Sequence, residues 1–192
     1  MKRVVLIKIN EYDPQILKEK ITATLDKYFP LSDYFTSSDK ILLKPNLLMP
    51  SSPQEAITTH PAVIDIVGTI FKERGFSVSV ADSPGGFVSE RDMDCIYEGC
   101  GIKDAAQHAG FELLYPTESL VRDKIPFCWW AMTGNRKESF KMVNLPKIKT
   151  HDIMILTLAV KNLYGCISGL HKSHLHKIYP RAQEFSNILI NL

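Results

Sequence analysis

The residues best suited to chemistry are concentrated late in the chain, between Lys141 and Lys177. This stretch contains six lysines and four histidines but a single acidic residue, Asp152, and so carries a charge of +5 before any histidine is protonated. The whole chain of 192 residues carries only +2, so the remainder is net acidic. Ammonium groups clustered among Gly, Pro and Asn residues are what an anion-binding site requires.

Apolar residues alternate with these cations and anchor them in a core. For any single lysine, a solvated basic face is the simpler interpretation. A stretch held by buried residues, however, holds its cations in place, which favours a site over a basic tail. The anchoring residues are Leu145, Ile148, Ile153, Ile155, Leu156, Leu158, Val160 and Leu163.

Two lysines lie in apolar surroundings. Lys44 lies in an apolar run, and a buried lysine needs a partner or a lowered pKa. Lys161 precedes Asn162 in a predicted apolar helix that ends at Gly165. A lysine with a perturbed pKa acts as a base or nucleophile, whereas an ordinary lysine binds an anion, and the sequence leaves both roles open for Lys161.

The histidines are candidates for proton transfer. We assign this role to His60, His151 and His176, with Lys161 as the fourth catalytic candidate. His171, His174 and His176 could also bind a metal ion, but their spacing matches no established ligand pattern, carboxylate partners are missing nearby and the neighbouring lysines would repel a cation. We therefore assign no metal ligands.

Polar residues follow four of the predicted strands. Ligands bind beyond the carboxyl ends of strands in open α/β sheets, where helix N-termini favour anions. The residues expected to converge there are Lys44, Asn46, Asp82, Ser83, Lys147, Lys149 and His151, with His60 at a helix start nearby. Asn162 is a further ligand-binding candidate. Gly85 would let the backbone approach a phosphate or carboxylate. Asp82 would orient a histidine or bind a cation, or is only a turn former.

Strands and helices alternate along the chain, which predicts an α/β fold with a layered, largely parallel but mixed central sheet and helices on both faces. We expect a single domain over residues 1–192 that is incomplete at its C-terminus. The predicted strands are residues 3–9, 40–44, 76–81 and 111–115. The predicted helices begin at Pro14, Pro61, Ser89 and Gly101, each with a capping signal or first-turn proline or between glycines.

The C-terminal half gives weaker patterns. Residues 116–126 are predicted to be a polar connection. Residues 127–132 and 139–145 are predicted to pair as an antiparallel hairpin around Gly134-Asn135. A helix is expected over residues 153–164, a loop beyond Gly169, and a further helix from Pro180.

Composition excludes several classes. No window is apolar for long enough to cross a membrane and no signal peptide is recognisable, so we expect a cytoplasmic protein with no membrane partner. The four cysteines contain no Cys-x-x-Cys motif, so no iron–sulfur cluster is expected from this chain alone, and the cofactor is unknown. The basic region is poor in Arg and aromatic residues, so nucleic acid is an unlikely partner.

Five ordered motifs resemble the domain-of-unknown-function 362 family. They are Lys44-Pro-Asn46, Thr59-His60-Pro61, Asp82-Ser-Pro-Gly85, Leu145-Pro-Lys-Ile-Lys-Thr-His151 and Ala159-Val-Lys-Asn-Leu-Tyr-Gly165, with His176 beyond. The resemblance implies a bacterial or archaeal protein of a family often described as iron–sulfur proteins. Many members carry a ferredoxin-like module with two cysteine-rich motifs, which this sequence lacks, and the family domain continues past its last motif.

We therefore expect a protein that binds a small carboxylate or phosphate at the carboxyl edge of its sheet, with possible enzymatic chemistry by Lys and His. The alternative is an accessory protein of redox or iron–sulfur systems, whose cluster lies in a missing module or a partner. A redox partner or a second copy of the chain is compatible with either function.

Overall fold

The computed structural model describes residues 4–86, 89–122, 125–132, 140–151 and 154–190. A four-stranded sheet lies at the centre, with the strand order β3-β2-β1-β6 and parallel pairing throughout. These strands are β1 (Lys40–Lys44), β2 (Ser77–Val80), β3 (Glu112–Leu113) and β6 (Phe140–Asn144). The α/β prediction is confirmed, and the central sheet is parallel rather than mixed.

Residue alternation in β1 gives the sheet two apolar faces. Ile41 and Leu43 belong to one buried cluster, and Leu42 between them belongs to another. All three side chains are fully buried because β1 has a strand on either side and is covered on both faces. This explains why the strand is a continuous apolar run rather than an alternating one.

Helices cover the face that holds Ile41 and Leu43. Their inward residues include Ile64, Met93 and Ile102. The covering helices are α2 (Pro61–Glu73), α3 (Glu90–Gly99) and α4 (Ile102–Ala109). The helix α1 (Pro14–Tyr28) packs outside them, where Leu17 meets Ile66 and Ile70 of α2.

The opposite face is covered by the C-terminal part of the chain and a hairpin. Leu42 packs there with Phe127, Tyr164, Phe185 and other apolar residues. The elements on this side are the hairpin β4 (Ser119–Arg122) and β5 (Ile125–Cys128), the hairpin β7 (Lys149–His151) and β8 (Ile155–Thr157), and the helices α5 (Ala159–Asn162), α6 (His171–Ile178) and α7 (Ala182–Ile190).

The capping residues that predicted the starts of three helices are present in the structure. Asp13 caps α1 by accepting from Ile16 N at 2.8 Å, with Pro14 as the first helical residue. His60 caps α2 through its ring, and Ser89 and Asp92 form the expected capping box at α3. Each signal lies within four residues of the backbone groups that it satisfies, so it needs no tertiary information.

The predicted strand over residues 3–9 was wrong. Residues 4–9 form no strand, and Val4 and Leu6 are 86% and 92% exposed. Within the described residues, the sheet edges are β3 and β6, and neither pairs with this segment. A β-branched run supplies propensity, but a strand forms only where a partner strand accepts its hydrogen bonds.

The predicted hairpin of residues 127–132 and 139–145 was also wrong. Phe127 pairs instead with Leu120 in β4, inside the segment predicted to be a connection, while β6 joins β1 in parallel. The Gly134-Asn135 turn lies outside the described residues. Sequence proximity favoured the local pairing, but β6 pairs in parallel with β1 along all five of its residues.

The predicted secondary structure after residue 149 needs two corrections. Ile155–Thr157 form a strand, so α5 spans only Ala159–Asn162 before a 3₁₀ turn over Leu163–Cys166. A short apolar run fits a strand and a helix equally well, which explains the error. The predicted loop beyond Gly169 contains the helix α6, in which Lys172 is the buried residue. The helix from Pro180 is present as α7.

No helix in the described part of the chain is long and apolar enough to cross a membrane.

We expect Leu43→Ala to lower the free energy of unfolding by about 3 kcal/mol, because it leaves a cavity in a fully buried strand. Leu6→Ala removes the same atoms from a 92% exposed side chain and should change stability by less than about 0.5 kcal/mol. Urea denaturation of both variants measures the difference. Equal losses would contradict the placement of β1 at the centre and of residues 4–9 at the surface.

Candidate functional site

A cavity of about 630 Å³ opens at the carboxyl ends of β1 and β2. Nine of the twelve residues predicted to form the site line it, so the predicted convergence is largely present. These nine are Asn46, Asp82, Ser83, Gly85, Lys149, His151, Lys161, Asn162 and His176. Polar loops from strands far apart in sequence meet here because the strands are parallel.

The interior of the site is closed by an ion pair between Lys44 and Asp82. Lys44 Nζ lies 2.5 Å from Asp82 Oδ1 and donates to Pro45 O at 3.2 Å, and its side chain is fully buried. The other carboxylate oxygen, Asp82 Oδ2, accepts from Leu47 N at 2.7 Å. Lys44 therefore neutralises a buried carboxylate beneath the cavity and does not line it. Asp82 pairs with this lysine, whereas the sequence suggested a histidine or a cation.

Gly165 lies directly against this ion pair. A Cβ atom at this position would lie 2.5 Å from Lys44 Nζ and would also collide with Asp82 Oδ1. Any side chain would therefore displace the pair, and glycine is required for close approach rather than as the end of a helix.

Asn162 fastens α5 to the ends of β1 and β6. Its Nδ2 donates to Asn144 Oδ1 at 2.7 Å, to Pro45 O at 3.2 Å and to Lys44 O at 3.3 Å. Its Oδ1 accepts from Asn46 Nδ2 at 2.9 Å. All polar atoms of this buried amide are thus used within the protein, which identifies Asn162 as a positioning residue.

Lys172 organises the loop after β2. Its Nζ donates to Ser83 Oγ at 2.9 Å, to Pro84 O at 3.0 Å and to Ser83 O. The side chain is only 5% exposed, and desolvation by burial lowers its pKa to about 8, although the Asp82 carboxylate opposes the shift. The sequence places Lys172 among the basic residues, but no motif assigned it to the site.

Lys161 is held against aromatic rings. Its Nζ lies 4.3 Å from the ring centroid of Tyr164 and 5.0 Å from that of Phe185. Desolvation, followed by the charge of Lys172, lowers its pKa to about 8. In the part of the chain that the structure describes, its ammonium makes no hydrogen bond and no ion pair.

His176 shares the same rings. It stacks on Phe185 with a centroid separation of 4.1 Å and meets Tyr164 edge-on at 5.3 Å. Desolvation, Lys161 and His151 together lower its pKa to about 4, so the imidazole is neutral at pH 7. Lys161 and His176 are therefore neighbouring titratable groups on one apolar wall.

Lys149 and His151 lie on the β7–β8 hairpin at the cavity mouth. Lys149 donates to Ile57 O at 2.8 Å, and desolvation lowers its pKa. His151 Nδ1 accepts from Met154 N at 3.2 Å, and its ring lies 6.2 Å from that of His176. The hairpin thus carries a second cation and a second imidazole to the site.

Three buried polar atoms at the cavity have no hydrogen-bond partner within the protein. They are Asn46 Oδ1, Thr157 Oγ1 and His176 Nδ1, and only one other such side-chain atom, Trp130 Nε1, occurs among the described residues. Buried polar groups are almost always satisfied, so three of these four exceptions are concentrated in residues that line one cavity.

The remaining predicted residues, His60 and Lys147, lie outside the described lining of the cavity. His60 stacks on Tyr12 at 3.6 Å and accepts from Ala62 N at 3.2 Å, so its ring caps α2. Desolvation and the nearby charge of Lys147 lower its pKa. The predicted catalytic and binding roles of these two residues gain no support from this placement.

The sequence missed Lys172, Thr157 and Tyr164 as cavity residues. Lys172 and Thr157 lie in none of the five recognised motifs, and Tyr164 lies in the motif of residues 159–165 but was assigned no role. Tyr164 OH donates to Lys172 O at 2.7 Å and so connects the 3₁₀ turn to α6.

The cysteines are reduced thiols away from a metal-binding geometry. Cys128 and Cys166 are buried, and desolvation raises the pKa of each to about 11. Within the described ranges no three His, Cys, Asp or Glu residues are grouped so that they could bind a metal ion. His171 and His174 are exposed on α6, while His176 faces the cavity.

Comparison with known proteins identifies the family. The family model described as domain of unknown function DUF362 matches residues 41–192. This protein is a member of the DUF362 family. The match begins at β1 and includes every described residue that lines the cavity.

The DUF362 chain is also similar to the thylakoid-associated protein sll1697 of Synechocystis sp. The two are 27% identical over 192 residues, which cover 99% of this chain and 59% of that relative. The chain thus spans about three fifths of the length of this curated relative. No solved structure matches the chain significantly.

Thr59 connects three of the DUF362 motifs through the hydrogen bonds of its side chain. Thr59 Oγ1 donates to Leu145 O at 2.6 Å and accepts from Asn46 N at 2.8 Å. One buried hydroxyl therefore links the segments that begin at Lys44, Thr59 and Leu145. The motifs recognised in the sequence are adjacent in space for this physical reason.

We expect Lys44→Met to destabilise the protein by about 3 to 5 kcal/mol, because it leaves the Asp82 carboxylate buried without its counter-charge. The double variant Lys44→Met/Asp82→Asn removes both charges and should recover part of this loss. Denaturant unfolding of the parent protein, Lys44→Met, Asp82→Asn and the double variant measures the coupling. Additive losses would contradict a direct ion pair.

The lowered pKa of His176 predicts a pH dependence of stability. The unfolded chain takes up a proton near pH 6.5 and the folded chain only near pH 4, so the contribution of His176 is fully present above pH 6.5 and falls as the pH is lowered towards 4. His176→Phe keeps an aromatic ring on Phe185 but cannot be protonated. Its unfolding free energy should therefore fall less steeply over this window, and parallel curves would contradict the buried neutral imidazole.

Proposed function

We propose that this DUF362 protein binds a small carboxylate or phosphate in the cavity at the carboxyl edge of its sheet. The supporting observation is an excess of fixed positive charge. Lys149, Lys161 and Lys172 line the cavity and Lys44 lies beneath it, while the described lining offers two carboxylates, Asp82 and Glu55. Asp82 is paired with Lys44, and Glu55 accepts from Ser52 N at 2.8 Å in a capping interaction.

Burial makes this excess charge costly without a ligand. Desolvation lowers the pKa of Lys149, Lys161 and Lys172, so each ammonium is held less favourably than in water. An anion in the cavity would restore the lost electrostatic stabilisation. Ligand binding would then offset the free-energy cost of burying these lysines.

The unsatisfied polar atoms add a requirement on the ligand. Asn46 Nδ2 donates to Asn162, which leaves Asn46 Oδ1 as an unpartnered acceptor in a residue that lines the cavity. Thr157 Oγ1 can donate or accept. A ligand with an anionic group and a second polar group would satisfy these atoms together, and a volume of about 630 Å³ accommodates a small metabolite.

The groups at the site also support acid and base chemistry. An amine with a pKa of about 8 and a neutral imidazole lie on one wall, so Lys161 and His176 are the proposed proton-transfer groups, with His151 beside them. His60 is left out of this proposal because it lies outside the lining.

The other expected properties remain proposals. The DUF362 cations are recessed in a cavity, with Lys172 only 5% exposed, which disfavours binding along a nucleic-acid backbone. A cytoplasmic location and a redox or second-copy partner are retained as predictions. The iron–sulfur accessory function gains no supporting contact among the described residues.

Isothermal titration with phosphate, sulfate and acetate at low ionic strength tests anion binding. Lys172→Met and Lys161→Met should each weaken binding by about tenfold or more, since each removes a desolvated cation. Lys177→Met is the matched control, because Lys177 is exposed on the same helix as Lys172 and should change affinity less than twofold. Equal effects of all three variants, or no binding to the parent protein, would refute the proposal.

The titration should also depend on pH. Lys161 and Lys172 lose their charge as the pH rises through about 8, so affinity should fall above that pH. Bound anion favours the charged form and moves the decline to higher pH as the ligand concentration rises. An affinity that is constant between pH 7 and 9.5 would show that these two lysines do not contact the ligand.

A further inference from the structure

Lys161 differs from the other lysines of the site in the state of its amine. Lys44 donates to Asp82 and Pro45, Lys149 to Ile57, and Lys172 to Ser83 and Pro84. Lys161 donates to none of the residues that the structure describes, and its contacts are the faces of Tyr164 and Phe185. The protein has therefore given three lysines structural acceptors and left one amine directed at the cavity.

The surroundings of Lys161 favour an uncharged, nucleophilic amine. Partial burial against aromatic rings desolvates the Lys161 amine, and the positive charge of Lys172 further disfavours a second charge there. Desolvation and a neighbouring cation are the two means by which proteins turn a lysine into a nucleophile. The rings favour the cation, whereas desolvation and the charge of Lys172 favour the neutral amine.

We propose that Lys161 forms a Schiff base with a small carbonyl compound that carries a carboxylate or phosphate group. This inference rests on the proposed function, because the anionic group must first bind in the cavity. The cations beside Lys161 then bring the carbonyl carbon to its amine. The substrate class is that of 2-oxo acids and phosphorylated aldehydes or ketones.

The reaction needs no external reagent. The Nζ lone pair attacks the carbonyl carbon to form a C–N bond, the carbonyl π electrons move to oxygen, and a proton passes from nitrogen to that oxygen to give a neutral carbinolamine. A general acid then protonates the hydroxyl group, which leaves as water while the nitrogen lone pair forms the C=N bond. The resulting iminium returns its N–H proton to the conjugate base to give the imine. The net change is one amine and one carbonyl converted to one imine and one water, with no oxidation or reduction.

The neighbours of Lys161 supply the groups that this sequence needs. His176 shares the Phe185 ring with Lys161, is neutral at pH 7, and has a buried Nδ1 without a hydrogen-bond partner in the protein. It is thus suited to carry the proton between nitrogen and the departing hydroxyl. Lys149 and Lys172 remain cationic partners for the anionic group.

Borohydride trapping tests the inference. The protein is incubated with pyruvate or with dihydroxyacetone phosphate, reduced with sodium borohydride, and analysed by intact mass and peptide mapping. At pH 7 about 10% of an amine with a pKa of about 8 is neutral, against less than about 0.1% at 10.5. Modification of Lys161 should therefore exceed that of exposed Lys177 by at least about tenfold, at saturable probe concentrations.

Lys161→Arg is the informative variant because it keeps the positive charge but cannot form an imine. It should lose the trapped adduct, whereas Lys177→Arg should keep it. Phosphate affinity measured on both variants distinguishes a loss of covalent chemistry from a loss of anion binding.

Three results would overturn the inference. An adduct spread evenly over surface lysines would show ordinary amine reactivity. Phosphate binding without any Lys161 adduct, from either probe, would refute the Schiff base and leave the proposed function intact. Absence of both the adduct and phosphate binding would refute the two together. Mapping in the unmodified sequence keeps the test decisive even if Lys161→Arg fails to fold.

Discussion

The buried pair of Lys44 and Asp82 is the interaction on which the site depends. It joins the ends of β1 and β2, and its second carboxylate oxygen fixes the backbone at Leu47. Burial of both charges is tolerated because each has hydrogen-bond partners and because Gly165 covers them without a side chain. The cavity above this pair can then use its remaining lysines for other tasks. A charge that the sequence presented as a ligand contact is therefore part of the foundation of the site.

How far the sequence could predict this molecule follows from the range of the interactions involved. The capped helices and the apolar strands β1 and β2 depend on neighbouring residues, and their polar ends converge because the strands are parallel. The hairpin β4–β5, the pairing of β6 with β1 and the burial of Lys172 depend on partners far along the chain. Hydrophobic periodicity carries no information about such partners, so Lys172 and Thr157 could not be assigned to the site.

The lysines of the site divide structural and chemical tasks between them. Lys44 neutralises a carboxylate, and Lys172 binds the carbonyls and hydroxyl of residues 83–84. Both sets of contacts fix the shape of the cavity. Lys161 makes neither kind of contact and packs instead against the Phe185 ring, on which His176 also stacks. Identical side chains thus acquire different properties because the polypeptide offers acceptors to some and aromatic faces to another. Residue type alone would have assigned them one role.

The amide of Asn162 also has a consequence for how the protein folds. It bonds to Lys44 O across a separation of 118 residues, and α5 is too short to be stable in isolation. Closing such a long loop carries an entropic cost that later contacts must repay. During synthesis the carboxyl end of β1 therefore acquires this hydrogen-bond partner only after Asn162 has been added to the chain. A nascent chain that lacks this contact exposes an incomplete cavity. Such a chain is a candidate for chaperone binding until residue 162 has left the ribosome.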